Sequence, residues 1–322
     1  MNKAIDLPGA DLQKKVDLLL QQQTREWDLA HKNYTGLQKV RKRSFKLHDR
    51  VNIGVQFNPE RMTSSAAKVD PKSISERKCF LCAANLPQQQ KWVEFGDDYL
   101  VLVNPFPIFP RHLTIPHREH IDQRIKGRFG DMLSLARELE DFVVFYNGPQ
   151  CGASAPDHFH FQAGNKGFMP VEKDFENMSR VTIKGEECCR VSVFKDYLRH
   201  CIILDGSSKT ILTTWFEKAY MEMEAQMTTE NPEPMMNILV SWEKGRWKVF
   251  IFPRKKHRPW QFFEEGEKQI LLSPASVDLG GMLITPREED FEKLGVSDIV
   301  DIFGQITWKD EEFEKLIHLF KT

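Results

Sequence analysis

The stretch Phe145-Tyr146-Asn147-Gly148-Pro149-Gln150-Cys151-Gly152-Ala153-Ser154-Ala155-Pro156-Asp157-His158-Phe159-His160-Phe161-Gln162 reads as the end of a strand, a small-residue loop and a second strand. Phe142 to Tyr146 is apolar and β-prone, and the residues from Asn147 to Ser154 are small enough to leave backbone N–H groups open to an anion. In His158-Phe159-His160-Phe161-Gln162 a period of two puts both imidazoles and the carboxamide on one face and both phenylalanines on the other. Three polar groups on one face are costly as core filling. An imidazole whose other nitrogen is held by a carbonyl is an adequate nucleophile toward phosphorus. Gln162 can donate to a phosphoryl oxygen, and Ser154 with the loop N–H groups can share the charge that builds in the transition state.

Upstream, Cys79-Phe80-Leu81-Cys82 spaces two thiolates for one tetrahedral ion. A closed zinc site needs two more ligands, which His120 (or His117) and His158 can supply. A redox pair and two buried small hydrophobes are the rival readings, and no tryptophan or Gly-Pro redox context surrounds the pair.

Around this centre the chain reads as α+β. Asp11 to Leu37 has the pattern of one amphipathic helix, Lys39 to Arg50 is basic, and Val51 to Phe57 alternates like a strand. Short strands are expected at Lys91–Glu94, Tyr99–Val103 and His112–Ile115, punctuated by Pro105, Pro107, Pro110 and Pro116, with a helix over about Gly130–Glu140. In the second half, Asn237–Trp242 and Trp247–Pro253 flank a Lys244-Gly245 turn as a hairpin, and Met221 to Met235 reads as a loop. Gly281 to Glu288 echoes Arg111 to Arg118, an apolar strand closed by proline, which suggests an internal duplication whose later copy lacks a His-x-His pair. Arg254-Lys255-Lys256-His257-Arg258 reads first as a solvated face and second as a phosphate or sugar clamp. Cys188-Cys189 and Cys151 read as packing thiols.

The chain's 322 residues are 41% apolar and 28% charged, which excludes a disordered or collagenous chain and allows a sizeable core. With 45 basic against 46 acidic residues, nothing global argues for a nucleic-acid or membrane-surface partner. No apolar run approaches the ~20 residues of a membrane span. Six unevenly grouped cysteines suggest reduced thiols and a cytoplasmic protein.

The segment 145–162 resembles the signature of the histidine triad superfamily, in its transferase branch, where the motif ends in glutamine rather than a third histidine. That branch contains galactose-1-phosphate uridylyltransferase, diadenosine tetraphosphate phosphorylase and GDP-L-galactose phosphorylase. Cys79-Phe80-Leu81-Cys82, Asn104-Pro105, Arg111-His112-Leu113-Thr114-Ile115-Pro116 and His120-Ile121 follow the same family order, and the stretch from Met236 to Pro286 looks like the degenerate half of the GDP-hexose phosphorylases.

The resemblance implies an antiparallel histidine-triad-like sheet with helices on one side, duplicated as two related halves: an N-terminal helical segment (1–50), a catalytic half (51–165) and a degenerate half (166–322). It implies nucleotidyl transfer from a nucleoside diphosphate sugar or dinucleoside polyphosphate through a nucleotidyl-histidine at His160, with phosphate or a sugar phosphate as acceptor. Hydrolysis and catalytically idle nucleotide binding are the alternatives. Gln162 would contact the transferred phosphate, Ser154 and Gly152 would form the phosphate loop, and Asn147 would lie near the nucleotide. Asn104, Arg61 and Lys68 are further substrate-binding candidates. Cys79, Cys82, His120 and His158 would hold a structural zinc, with iron the second choice and His117 a substitute ligand. A monomer or a homodimer is compatible with a fused duplication.

Overall fold

The computed structural model describes residues 4–5, 7–47, 51–59, 71–227 and 231–321. The amphipathic N-terminal stretch forms two helices instead of the expected one. The carboxylate of Asp11 accepts the N–H of Lys14 and starts helix α1 (Leu12–Glu26). Trp27 then takes an extended conformation (φ −100°, ψ 107°) with its indole buried, and α2 (Asp28–Gly36) follows. Strands β1 (Arg41–Leu47) and β2 (Val51–Phe57) pair antiparallel, so most of the basic run is a strand. A short helix α3 (Pro71–Glu76) precedes the cysteine pair.

Strands β3 (Trp92–Phe95), β4 (Tyr99–Val103) and β5 (His112–Pro116), helix α4 (Phe129–Glu138), and strands β6 (Phe142–Asn147) and β7 (His160–Asn165) complete the first half. Helix α5 (Pro170–Asn177), strands β8 (Arg180–Glu186), β9 (Cys189–Phe194) and β10 (Ile202–Gly206), helix α6 (Lys209–Ala225) and the hairpin β11 (Met236–Glu243) and β12 (Arg246–Pro253) begin the second. Positive φ at Lys244 (50°) and Gly245 (78°) gives the two-residue turn the twist that a hairpin needs. Residues 221–225, expected in a loop, are the last turn of α6, where Met223 is buried.

These ten strands, β3 to β12, form one antiparallel sheet in the order β3-β4-β5-β7-β6-β11-β12-β10-β9-β8, five from each half. The halves meet at β6 and β11, where Asn147 pairs with Asn237. Alternation along the strands divides the core. Val144, Tyr146, Phe159 and Phe161 face a layer containing α1, α4 and α6, while Val143, Phe145, Leu239 and Phe250 face the other way.

A second layer covers that other face, so helices on one side describe only part of the architecture. It contains helix α7 (Ser276–Leu279), strand β13 (Met282–Thr285), and helices α8 (Glu288–Lys293) and α9 (Val296–Ile306); α10 (Asp310–His318) returns to the first core. Strand β13 joins β2 in parallel within a separate sheet, β1-β2-β13. The echo between 111–118 and 281–288 therefore does not mark equivalent positions: β5 lies between β4 and β7, whereas β13 lies in the smaller sheet. Among the described residues no helix is long and apolar enough to cross a membrane.

Candidate active site

Strand β7 and Phe159, the residue before it, meet different neighbours on their two faces. Phe159 and Phe161 pack with Tyr99 and Tyr146 in the core, and His160 and Gln162 open on the opposite face into a cavity of about 410 Å³. Asn104, Thr114, Asn147, Gly152, Ser154 and the second-half layer also line it.

The ring of His160 is fixed by its own strand. Its Nδ1 donates to the backbone carbonyl of His158 at 2.8 Å, which leaves the lone pair on Nε2. Burial pushes its pKa down to about 4, so the ring is neutral at neutral pH. Gln123, which the sequence reading missed, sets the backbone: its Oε1 accepts the His160 N–H at 2.7 Å, and its Nε2 donates to the carbonyls of Asn147 (2.9 Å) and His160 (3.1 Å). Only the fold brings this loop glutamine between the two strand ends.

Two carboxamides line the cavity with their oxygens already engaged. His112 Nδ1 accepts the Ile108 N–H at 3.2 Å, so its Nε2 is the donor to Gln162 Oε1 at 3.1 Å. Asn147 Oδ1 accepts from Asn237 Nδ2 (2.9 Å) and the Ser276 N–H (2.8 Å). Each arrangement fixes the amide orientation and presents NH₂ as the remaining polar group, suited to a phosphoryl oxygen. Asn104 also lines the cavity, but its Oδ1 takes the Phe106 N–H (2.9 Å) and its Nδ2 donates to Thr114 Oγ1 (2.9 Å), so its side chain holds a turn.

Gly152 belongs to the cavity wall for a steric reason. It has φ +96°, and a Cβ there would stand 2.5 Å from Ala275 Cβ. The loop and the second-half layer approach too closely for any other residue. Arg61 and Lys68, expected to bind substrate, lie outside the described residues.

Beside the cavity, the ligand atoms of Cys79, Cys82, His120 and His158 all lie within 4.8 Å of one another. Cys79 Sγ is 3.2 Å from His158 Nδ1, Cys82 Sγ is 3.2 Å from His120 Nδ1, and Cys82 Sγ is 3.6 Å from His158 Nδ1. His158 Nε2 donates to the carbonyl of His117 at 2.8 Å, which directs the Nδ1 lone pair at the cluster. Burial and the neighbouring Cys79 push the Cys82 thiol up to about 11, a repulsion that a divalent cation would reverse. The donor set fits a tetrahedral metal. His117 is not one of the four; its Nδ1 accepts the Glu119 N–H at 3.1 Å.

The basic run 254–258 divides. Arg254 is buried and bonds Asn237 Oδ1 (2.6 Å) and the carbonyls of Pro274, Ile306, Lys256 and His257, tying β12 to the second layer. Lys255 and Lys256 are partly or fully exposed, while His257 and Arg258 line the cavity.

Comparison with known proteins bears on the fold. Residues 19–165 match the family described as Domain of unknown function (DUF4922), and residues 170–321 match the family described as GDPGP1-like, C-terminal domain. No curated protein matches the chain significantly. Yeast Ap4A phosphorylase Apa2 superposes with a TM-score of 0.58 at 18% identity, over 87% of this chain and 96% of that one. The same enzyme in complex with Ap4A gives 0.53 at 17% identity, with the same coverage of both chains. The chain thus shares the fold of yeast Ap4A phosphorylase Apa2, and its residues 170–321 match a GDPGP1-like C-terminal domain.

Proposed function

We propose that the protein is a nucleotidyltransferase of the phosphorylase type, acting on a nucleoside diphosphate sugar or a dinucleoside polyphosphate. One observation carries the reading: His160 is clamped through Nδ1 by the His158 carbonyl, with its other nitrogen on a cavity shared with Gln162 and Ser154. The Ap4A phosphorylase fold and the GDPGP1-like domain support it. His160 Nε2 attacks the α-phosphorus, the leaving oxygen departs with the bonding pair, and phosphate or a sugar phosphate then takes the nucleotidyl group. Gln162 and Asn147 amides, Ser154 and the loop N–H groups hold the equatorial oxygens.

Residues 51–165 supply the nucleophile and 166–322 close the cavity. A zinc ion held by Cys79, Cys82, His120 and His158 would be structural, fixing the residue whose carbonyl holds His160. The six free cysteines support a cytoplasmic setting.

The test is retention of label. Incubated with labelled nucleoside diphosphate sugars or dinucleoside polyphosphates, the wild-type protein forms a nucleotidyl adduct that phosphate discharges, and His160→Asn forms none. An unchanged turnover rate in that variant overturns the mechanism.

A further inference from the structure

Arg258 is the sole lysine or arginine among the described residues that line the cavity. Its Nε donates to Ser273 Oγ at 2.9 Å, and its guanidinium lies over the Phe262 ring at 4.1 Å. Among the described residues no carboxylate pairs with it. Asp278, which also lines the cavity, accepts the N–H groups of Ala275 (2.8 Å) and Ile284 (3.0 Å). Burial without a compensating charge lowers the pKa of Arg258, and His257 beside it is held down to about 4, mainly by burial, so it adds no charge. A half-buried, pre-oriented and unpaired guanidinium in a nucleotide-sized cavity is a receptor for an anion.

In-line chemistry says which anion. In the first displacement the N–P bond forms at His160 as the P–O bond to the leaving group breaks on the far side of phosphorus, and the leaving oxygen keeps the electron pair. In the second, an acceptor oxygen enters along that same line, the P–N bond breaks, and the imidazole regains its lone pair. One subsite must therefore hold both anions.

We propose that Arg258, oriented by Ser273 and Phe262, forms the subsite for the exchanged group: the phosphorylated leaving group in the first step and inorganic phosphate in the second. This rests on the nucleotidyl-transfer reading and adds the place of the acceptor.

The probe is inorganic phosphate, titrated into the full-length protein by calorimetry and followed in turnover. Wild type binds phosphate, Arg258→Gln weakens binding about tenfold to a hundredfold and raises the KM for phosphate in parallel, and Arg258→Lys recovers part of the loss. Ser273→Ala gives a smaller loss, and thermal melting of each variant checks folding. Equal phosphate affinity in Arg258→Gln and wild type, or no phosphate binding by wild type, overturns the subsite. A wild-type protein that forms no adduct on His160 overturns nucleotidyl transfer itself, so the two failures read differently.

Discussion

His112 Nε2 stands 3.1 Å from Gln162 Oε1, and because the Ile108 N–H occupies His112 Nδ1, the imidazole can only donate to that oxygen. The carboxamide is thereby fixed with its NH₂ as the free polar end, the polarity that a phosphoryl oxygen requires. Register explains the pairing: β5 and β7 run antiparallel, with His112 opposite Gly164 and Thr114 opposite Gln162. His112 thus reaches the glutamine diagonally across the strand pair.

Removing the donor altogether, with Gln162→Ala, is expected to lower kcat by about a hundredfold to a thousandfold. His112→Asn should lower kcat by roughly tenfold or more with little change in KM. If the histidine acts through the glutamine, the double variant is no slower than Gln162→Ala alone. Strictly multiplicative losses would sink the relationship.

The cysteine and histidine cluster predicts about one zinc per chain by metal analysis of the purified protein. Cys79→Ser should lose the metal and about 3 kcal/mol or more of stability, read by denaturant unfolding. Full stability together with no detectable metal in wild type would reduce the cluster to packing.

Gly152→Ala meets both an unfavourable φ and the Ala275 side chain. A loss of about 2–4 kcal/mol is expected, with weaker nucleotide binding, since the loop must withdraw from the second layer. Crystallography of the variant would show the loop shifted; an unmoved loop at full stability contradicts the steric argument.

Glu233 gives the protein a pH-dependent stability. Burial raises its carboxyl from 4.5 to about 7, against the Tyr146 hydroxyl and the Ile125 N–H that bond to it. Between these two values the folded state holds a proton that the unfolded chain has released, so this contribution is present at low pH and lost as pH rises through the window. Relative to Glu233→Gln, wild type should lose ~3 kcal/mol between pH 4.5 and 8. A constant difference between the two across that range would show that Glu233 does not titrate there.

The order of strand, loop and strand at 142–165, the division of β7 into a phenylalanine face and a histidine-glutamine face, and the Cys-x-x-Cys pair were legible in the sequence because each depends on a period of two or a spacing of three. The break at Trp27 was not, because helical periodicity continues through it and the buried indole makes the decision. Nor could sequence choose among distant partners. That His120 rather than His117 faces the cysteines, that Gln123 bridges two strand ends, that Asn237 and Ser276 hold the oxygen of Asn147, and that only His257 and Arg258 of a basic run enter the cavity all follow from segments up to 129 residues apart meeting across a sheet and its covering layer. Local pattern fixes which face a side chain takes on its own strand. What stands opposite that face is set by strand order and layer packing, and those are properties of the whole chain.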